Sequence, residues 1–193
     1  MKELNEKILR EGKILPGNVV KVDSFINHQI DVKFIDKIGL EFFNLYKGEK
    51  ISKVLTIETS GIPIAIAVAK LFDCRVVFAK KGKSKNLLDD FYEVEVKSYT
   101  RGDIYKVHVA KEFLNERDVV LIIDDFLANG AALTGLIEIV KMAKAKLVGC
   151  GVVIEKGFQP GGKKLRDSGI RVESLAIIDK MDEINQTIEF RGD

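Results

Sequence analysis

The chain has 193 residues, 46% of them apolar and 31% charged, with a formal net charge of +2 from 31 basic and 29 acidic side chains. That length and mix describe a single globular domain with a full core, over residues 1–193, rather than two domains or a disordered chain. So even a charge balance leaves no electrostatic footprint for duplex nucleic acid, only room for a local basic phosphate site.

Met1 to about Glu11 reads as a helix, and its charged first ten residues hold no apolar core of a secretion signal. A short strand is expected at Lys13–Leu15, with Pro16-Gly17 as a turn. Val32–Tyr46 has the periodicity of a helix, with Phe34, Ile35, Ile38, Phe42 and Leu45 on its inner face and Asp31 as N-cap. A strand–helix–strand unit follows: Lys53–Ile57, then Ile62–Phe72 with Pro63 in the first turn, then Arg75–Ala79. Its order implies parallel pairing through a right-handed crossover. The helix's apolar run Ile62–Ala69 is far short of the ~20 residues that cross a bilayer. Lys80–Asp90, rich in Lys, Gly, Ser and Asp, reads as a mobile loop, and residues 91–110 as a hairpin with a weak apolar face that stands out from the body. Regular alternation resumes with a strand at Val119–Ile123, a loop at Asp124–Gly130 and a helix from Ala131 to about Ala145, whose buried stripe is Leu133, Leu136, Ile137, Val140 and Ala143. A strand at Lys146–Ile154, a short helix at Lys163–Ser168 and a last strand at Arg171–Ile178 complete the set, and Arg191–Asp193 reads as a ragged tail. This order predicts an α/β fold: an open, mostly parallel sheet with helices on both faces, whose ligands bind at the carboxyl ends of its strands.

Two of those strand ends carry unusual loops. After the strand Val119–Ile123 come two carboxylates, Asp124 and Asp125, and then the small residues Ala128, Asn129, Gly130, Ala131 and Ala132, which run straight into a helix. Such a loop presents backbone N–H groups unobstructed by side chains, at a helix N-terminus whose unsatisfied donors and partial positive charge suit a phosphate. The acidic pair is placed to hold a vicinal diol, with or without a metal between. An acidic pair alone could equally be a solvated turn; the whole string is far more specific. The second loop, Glu58, Thr59, Ser60 and Gly61, offers hydroxyls and another helix N-terminus, although by itself it also fits an ordinary helix start capped by Ser60. Cys74 and Cys150 have no partners at metal-ligand spacing and read as buried thiols of a reducing cytoplasm. His28 and His108 make no Ser–His or Cys–His pattern, so no protein nucleophile and no protein-held metal are expected.

The string from Val119 to Leu133 resembles the fingerprint of type I phosphoribosyltransferases, with one departure: Ala131 and Ala132 stand where many members carry Thr or Ser, which shifts phosphate contacts to backbone N–H groups and Asn129. The resemblance implies that Asp124 and Asp125 meet the ribose hydroxyls of 5-phosphoribosyl-1-diphosphate (PRPP), that residues 128–132 hold its 5-phosphate, and that Glu58–Gly61 hold its diphosphate. It also implies a non-proline cis peptide in that second loop, where Ser60-Gly61 could accept one. It further implies a lid over the diphosphate, with Lys81 as its candidate residue and Ser98-Tyr99 near the hairpin tip. Mg2+ would be bound mainly through PRPP and diphosphate, and the protein would form a homodimer in the cytoplasm.

Two outlying segments, 21–31 and 153–161, resemble those of xanthine-using members of the same family, where they form a hood over the base. By that resemblance Asn27 and Lys156 contact the purine and Val20, in place of a Leu, provides an apolar contact; the hood spans about 13–31 and 155–193. Lys156 would donate to a 6-oxo group, and Phe126 or Phe158 would stack on the base. The implied reaction is transfer of phosphoribose to N9 of xanthine. The alternatives are guanine or hypoxanthine as acceptor, a PRPP-sensing purine regulator without catalysis, and a phosphotransfer or receiver-type domain built on the acidic pair.

Overall fold

The computed structural model describes residues 1–82, 90–97 and 104–192. In chain order the elements are α1 (Lys2–Glu11), β1 (Lys13–Leu15), β2 (Val19–Lys21), a single π-helical turn (Asp23–Asn27), α2 (Val32–Tyr46), β3 (Lys53–Ile57), α3 (Gly61–Phe72), β4 (Arg75–Lys81), β5 (Phe91–Lys97), β6 (Ile104–Ala110), β7 (Val119–Leu127), α4 (Ala131–Met142), β8 (Lys146–Lys156), α5 (Gly161–Asp167), β9 (Val172–Asp182) and β10 (Thr187–Phe190). Eight strands form one sheet in the order β10-β9-β8-β7-β3-β4-β6-β5, while β1 and β2 pair separately. The central strands β9, β8, β7, β3 and β4 run parallel, and β10, β6 and β5 join antiparallel.

The apolar run of β7 explains why it lies at the centre. Leu121 and Ile123 point into a core shared with α1, α2 and α3, and Val120 and Ile122 into a second core under α4. A strand buried on both faces needs an unbroken apolar sequence, and β7 supplies one. Helix α2 starts where Asp31 accepts from the Phe34 amide over 3.1 Å. Its buried face is Phe34, Ile35, Ile38, Phe42 and Tyr46; Leu45, expected inside, is 39% exposed, and Tyr46 takes its place, its hydroxyl donating to the Cys150 carbonyl over 2.9 Å.

Several boundaries differ from expectation. β7 continues four residues past Ile123 because β8 is long enough to keep pairing it: Asp124 faces Val152, and Phe126 faces Ile154. Asp124 and Asp125 therefore stand on a strand, not in a loop. β4 likewise reaches Lys81, pairing Lys80 with His108 and Lys81 with Val107. The hairpin does not stand out from the body; Val96, Val107 and Val109 are buried in the core under α4, and the edge of the sheet is extended by it. Residues 83–89, most of the expected mobile loop, and 98–103, with Ser98-Tyr99, lie outside the described residues. The C-terminal end is anchored rather than ragged at Arg191, whose amide donates to the Ile177 carbonyl and whose guanidinium pairs with Asp179. Among the described residues no helix is long and apolar enough to cross a membrane.

Candidate active site

β3 and β7 are parallel neighbours, so the loops that follow them open at the same end of the sheet. Asp124 is buried at that end and its Oδ1 accepts from the Asp125 amide over 3.0 Å. Burial, and then the neighbouring Asp125 carboxylate, hold the Asp124 carboxyl well above the ordinary carboxylate range; burial also raises Asp125. The positive charge of Lys81 opposes both shifts. Lys81 itself is exposed at the end of β4, with its ammonium 5.7 Å from the centre of the Tyr105 ring.

The loop after β3 leans against this pair. Its Glu58–Thr59 peptide is cis, so the cis bond falls two residues before Ser60-Gly61. Glu58 is latched at both ends: its amide donates to the Ala79 carbonyl over 3.1 Å, and its carboxylate accepts from the Lys81 amide over 2.6 Å. That carboxylate is thus a brace between β3 and β4. Ser60 occupies the N-cap of α3 but makes no capping side-chain bond, so the reading of an ordinary Ser-capped helix start does not hold. Gly61 is required by space: a Cβ there would overlap the Thr56 hydroxyl and lie 3.3 Å from Asp124 Oδ1. The Thr56 hydroxyl is buried and has no hydrogen-bond partner among the described residues.

The loop after β7 borders a cleft of about 190 Å3 formed by residues 126–133 together with Lys97 and Tyr105. Gly130 turns the chain into α4 with φ +86°, a left-handed conformation that glycine adopts without cost. Asn129 Oδ1 accepts from the Ala131 amide over 3.0 Å, so its oxygen shapes the loop instead of leaving it free to act on a ligand. Lys97 and Tyr105 were invisible to motif reading. The alternation of the hairpin marks its strands, but only the docking of β5 and β6 on α4 brings a cation and a phenol to the mouth of this loop.

Lys156, at the end of β8, lies half-buried near Phe126, its ammonium 6.0 Å from that ring's centre. It donates to the Asn18 carbonyl in the β1–β2 turn over 2.8 Å, and burial lowers its pKa. Val20, on β2, is buried at 5% exposure in the core against which Phe126 packs, alongside Phe25 and Ile26. Asn27 follows them with a buried side-chain oxygen that has no hydrogen-bond partner among the described residues. Phe158 is 40% exposed. The structure thus brings Asp124, Asp125, Lys81, Gly61 and Tyr105 to one strand-end site, and ties Lys156 to Phe126 and the β1–β2 turn beside it.

Comparison with known proteins gives this geometry a family. Among solved structures, the fold is similar to the adenine phosphoribosyltransferase of Rhodothermus marinus (TM-score 0.71, 21% identity, 92% of this chain and 99% of that one) and to the APRTase of Giardia lamblia (TM-score 0.71, 24% identity, 86% and 90%). In sequence, the chain is 55% identical over 193 residues to the xanthine phosphoribosyltransferase of Alkaliphilus metalliredigens, covering all of this chain and 95% of the relative. It is 56% identical to xanthine phosphoribosyltransferase 1 of Clostridium perfringens (95% and 97%) and 53% identical to the xanthine phosphoribosyltransferase of Clostridioides difficile (99% and 100%). The family profile described as phosphoribosyl transferase domain matches residues 27–189, and the chain belongs to that family.

Proposed function

We propose that this chain is a purine-salvage enzyme that transfers phosphoribose from PRPP to N9 of xanthine, giving xanthosine 5′-monophosphate and diphosphate. The observation that carries the reading is the pair of small-residue loops at neighbouring parallel strand ends, with the acidic pair, Asp124 buried, between them. The names of relatives at 51–56% identity support xanthine as the acceptor.

In this reading the bond from C1′ to the diphosphate oxygen breaks, the bond from C1′ to N9 forms, and a proton leaves the base. The protein contributes position and charge rather than a nucleophile. Asp124 and Asp125 accept from the ribose hydroxyls and face the positive charge that develops on the sugar. Backbone N–H groups of residues 128–132 receive the 5-phosphate, with Lys97 as a nearby cation. Thr59, Ser60 and Gly61 receive the diphosphate, and Lys81 supplies countercharge to the leaving group. Asp124 and Asp125 offer oxygen donors that would suit a neighbouring divalent cation, whose charge would favour their ionised forms. Mg2+ would be held chiefly through PRPP and diphosphate oxygens and would supply further positive charge there.

The base lies between Phe126 and the hood, residues 13–31 and 155–193. Lys156 donates to its 6-oxo group, which disfavours the 6-amino group of adenine. The unpartnered Asn27 oxygen accepts from the ring edge, and Val20 backs the pocket from the core. Exposed Leu40, Ile66, Leu71 and Phe78 support a homodimer, and two free cysteines support a cytoplasmic location.

The test is a panel of xanthine, guanine, hypoxanthine and adenine with PRPP and Mg2+, following nucleotide formation. Xanthosine 5′-monophosphate should form fastest. A preference for guanine or hypoxanthine would move the acceptor, and no product with any base would point to a PRPP-sensing regulator and overturn the reading.

A further inference from the structure

Helix α5 touches the β7–α4 loop from behind, backbone to backbone. The Gly161 amide donates to the Ala128 carbonyl over 3.1 Å. A Cβ on Gly161 would overlap that carbonyl oxygen and lie 2.5 Å from the Gly130 amide nitrogen and 2.6 Å from the Asn129 carbonyl carbon. No side chain fits at Gly161 without moving the loop, and the loop's path is keyed to where α5 sits.

What fixes α5 is an ion pair between the partly exposed Arg166 and the buried Glu155. Arg166, on its last turn, donates from Nη1 to Glu155 Oε1 over 2.8 Å and from Nη2 to Glu155 Oε2 over 2.7 Å, and also reaches the Val172 carbonyl. Ser174 completes the set with a 2.5 Å bond to Glu155 Oε2. Glu155 is only 2% exposed, and a Cβ on Gly162 would overlap its Oε1, so α5 is seated directly on the carboxylate. A two-point Arg–carboxylate pair fixes orientation as well as distance. Glu155 also pairs in the sheet with Leu127, the residue before the loop. The loop is therefore gripped from two sides by one residue, through the ladder and through α5.

We propose that Glu155 and Arg166 are positioning residues for PRPP, acting through Gly161 to set the direction of the loop amides that receive its 5-phosphate. This rests on the assignment of residues 128–132 to that phosphate. Among the described residues, the side chains of Glu155, Arg166 and Ser174 bond one another and the Val172 carbonyl, and none of them bonds Lys156, Asn27 or Asp124, so the larger effect should fall on PRPP.

The experiment measures PRPP and ribose 5-phosphate binding by calorimetry, together with KM for each substrate and kcat, in the wild type, Gly161→Ala, Arg166→Lys and Glu155→Gln, with circular dichroism and Tm as the check on folding. Gly161→Ala should weaken PRPP and ribose 5-phosphate by about tenfold or more, as expected for a small misplacement of a binding group, and leave KM for xanthine within about twofold. Arg166→Lys, which keeps the charge but loses the two-point geometry, should shift the same constants less than Glu155→Gln. A folded Gly161→Ala with wild-type PRPP affinity would overturn the inference, as would equal losses toward PRPP and xanthine. If Gly161→Ala does not fold, the other two variants decide on the same split. A wild-type chain that binds neither PRPP nor ribose 5-phosphate would instead fell the assignment of the loop itself.

Discussion

The Lys156 ammonium and the Asn18 carbonyl oxygen are 2.8 Å apart, a bond that joins the end of β8 to a hairpin turn 138 residues earlier in the chain. Asn18 has φ +60°, and its own amide donates to the Glu183 carboxylate over 3.1 Å. The same hairpin is held at Ile14, whose amide and carbonyl both bond the Gln186 side chain. Lys156 is thus aimed by a turn that is itself fastened to the β9–β10 connection.

Lys156→Ala should cost xanthine far more than PRPP. Losing one charged hydrogen bond to the base is worth about 1.5–3 kcal/mol, roughly 10- to 150-fold in kcat/KM for xanthine, while affinity for PRPP stays near the wild-type value. Discrimination between 6-oxopurines and adenine should collapse with it. Steady-state kinetics with both substrates varied would show this; a variant that lost PRPP affinity instead would move Lys156 out of the base pocket.

Glu183→Ala removes only the anchor of Asn18. An exposed hydrogen bond of this kind contributes about 0.5–1.5 kcal/mol, so KM for xanthine should rise by roughly two- to tenfold with kcat and KM for PRPP held. Glu183→Gln keeps an acceptor oxygen and should recover most of the loss. If Glu183→Ala behaved as wild type toward xanthine, the hairpin would not be what aims Lys156.

Asp124 links activity to stability in opposite directions. Its folded-state pKa is raised, by burial and then by Asp125. Between the ordinary carboxylate pKa and that raised value the folded chain binds more protons than the unfolded one, so stability falls as pH rises through this window. Above that window the ionised group is a cost to the free protein. Asp124→Asn, which keeps an oxygen for the Asp125 amide, should therefore abolish turnover by about a hundredfold or more and raise Tm at pH 7 by a few degrees. The gain should shrink as pH is lowered and the wild-type carboxyl becomes protonated. Thermal melts across pH check the sign: a variant less stable at pH 7 would refute it.

The parts of this site legible in the sequence were those whose chemistry is local. The apolar strand, the acidic pair and the small-residue turn into α4 are consecutive, and each constrains the next. Asp124 and Asp125 nevertheless read as loop, because polarity normally ends a strand; only the long partner β8 keeps them on the ladder. Tyr46 replaced Leu45 inside α2 because a carbonyl at Cys150, far away in sequence, was in place to satisfy its hydroxyl. Lys97, Tyr105 and the Gly161 contact depend wholly on which elements dock together. No periodicity or spacing announces a contact of that kind, whereas a glycine whose absent side chain leaves room for another backbone can be recognised once the neighbours are known.

Gly61 and Thr56 offer the sharpest case of such coupling. A methyl group on Gly61 has nowhere to go but into the Thr56 hydroxyl, with Asp124 Oδ1 3.3 Å away. Gly61→Ala should destabilise the chain by about 1–3 kcal/mol, the usual range for overpacking, and reduce kcat/KM for PRPP by displacing both the loop and Asp124. The Thr56 hydroxyl makes no hydrogen bond among the described residues, so its removal orphans no acceptor or donor there. Thr56→Ala should then be mild alone and should relieve Gly61→Ala when the two are combined, giving an interaction energy of about 1 kcal/mol or more in a double-mutant cycle, as contacting residues show. Denaturant melts of the four proteins measure it. Strict additivity would mean that the extra methyl is accommodated elsewhere, and that the close approach of α3 to the acidic pair is not what requires glycine at position 61.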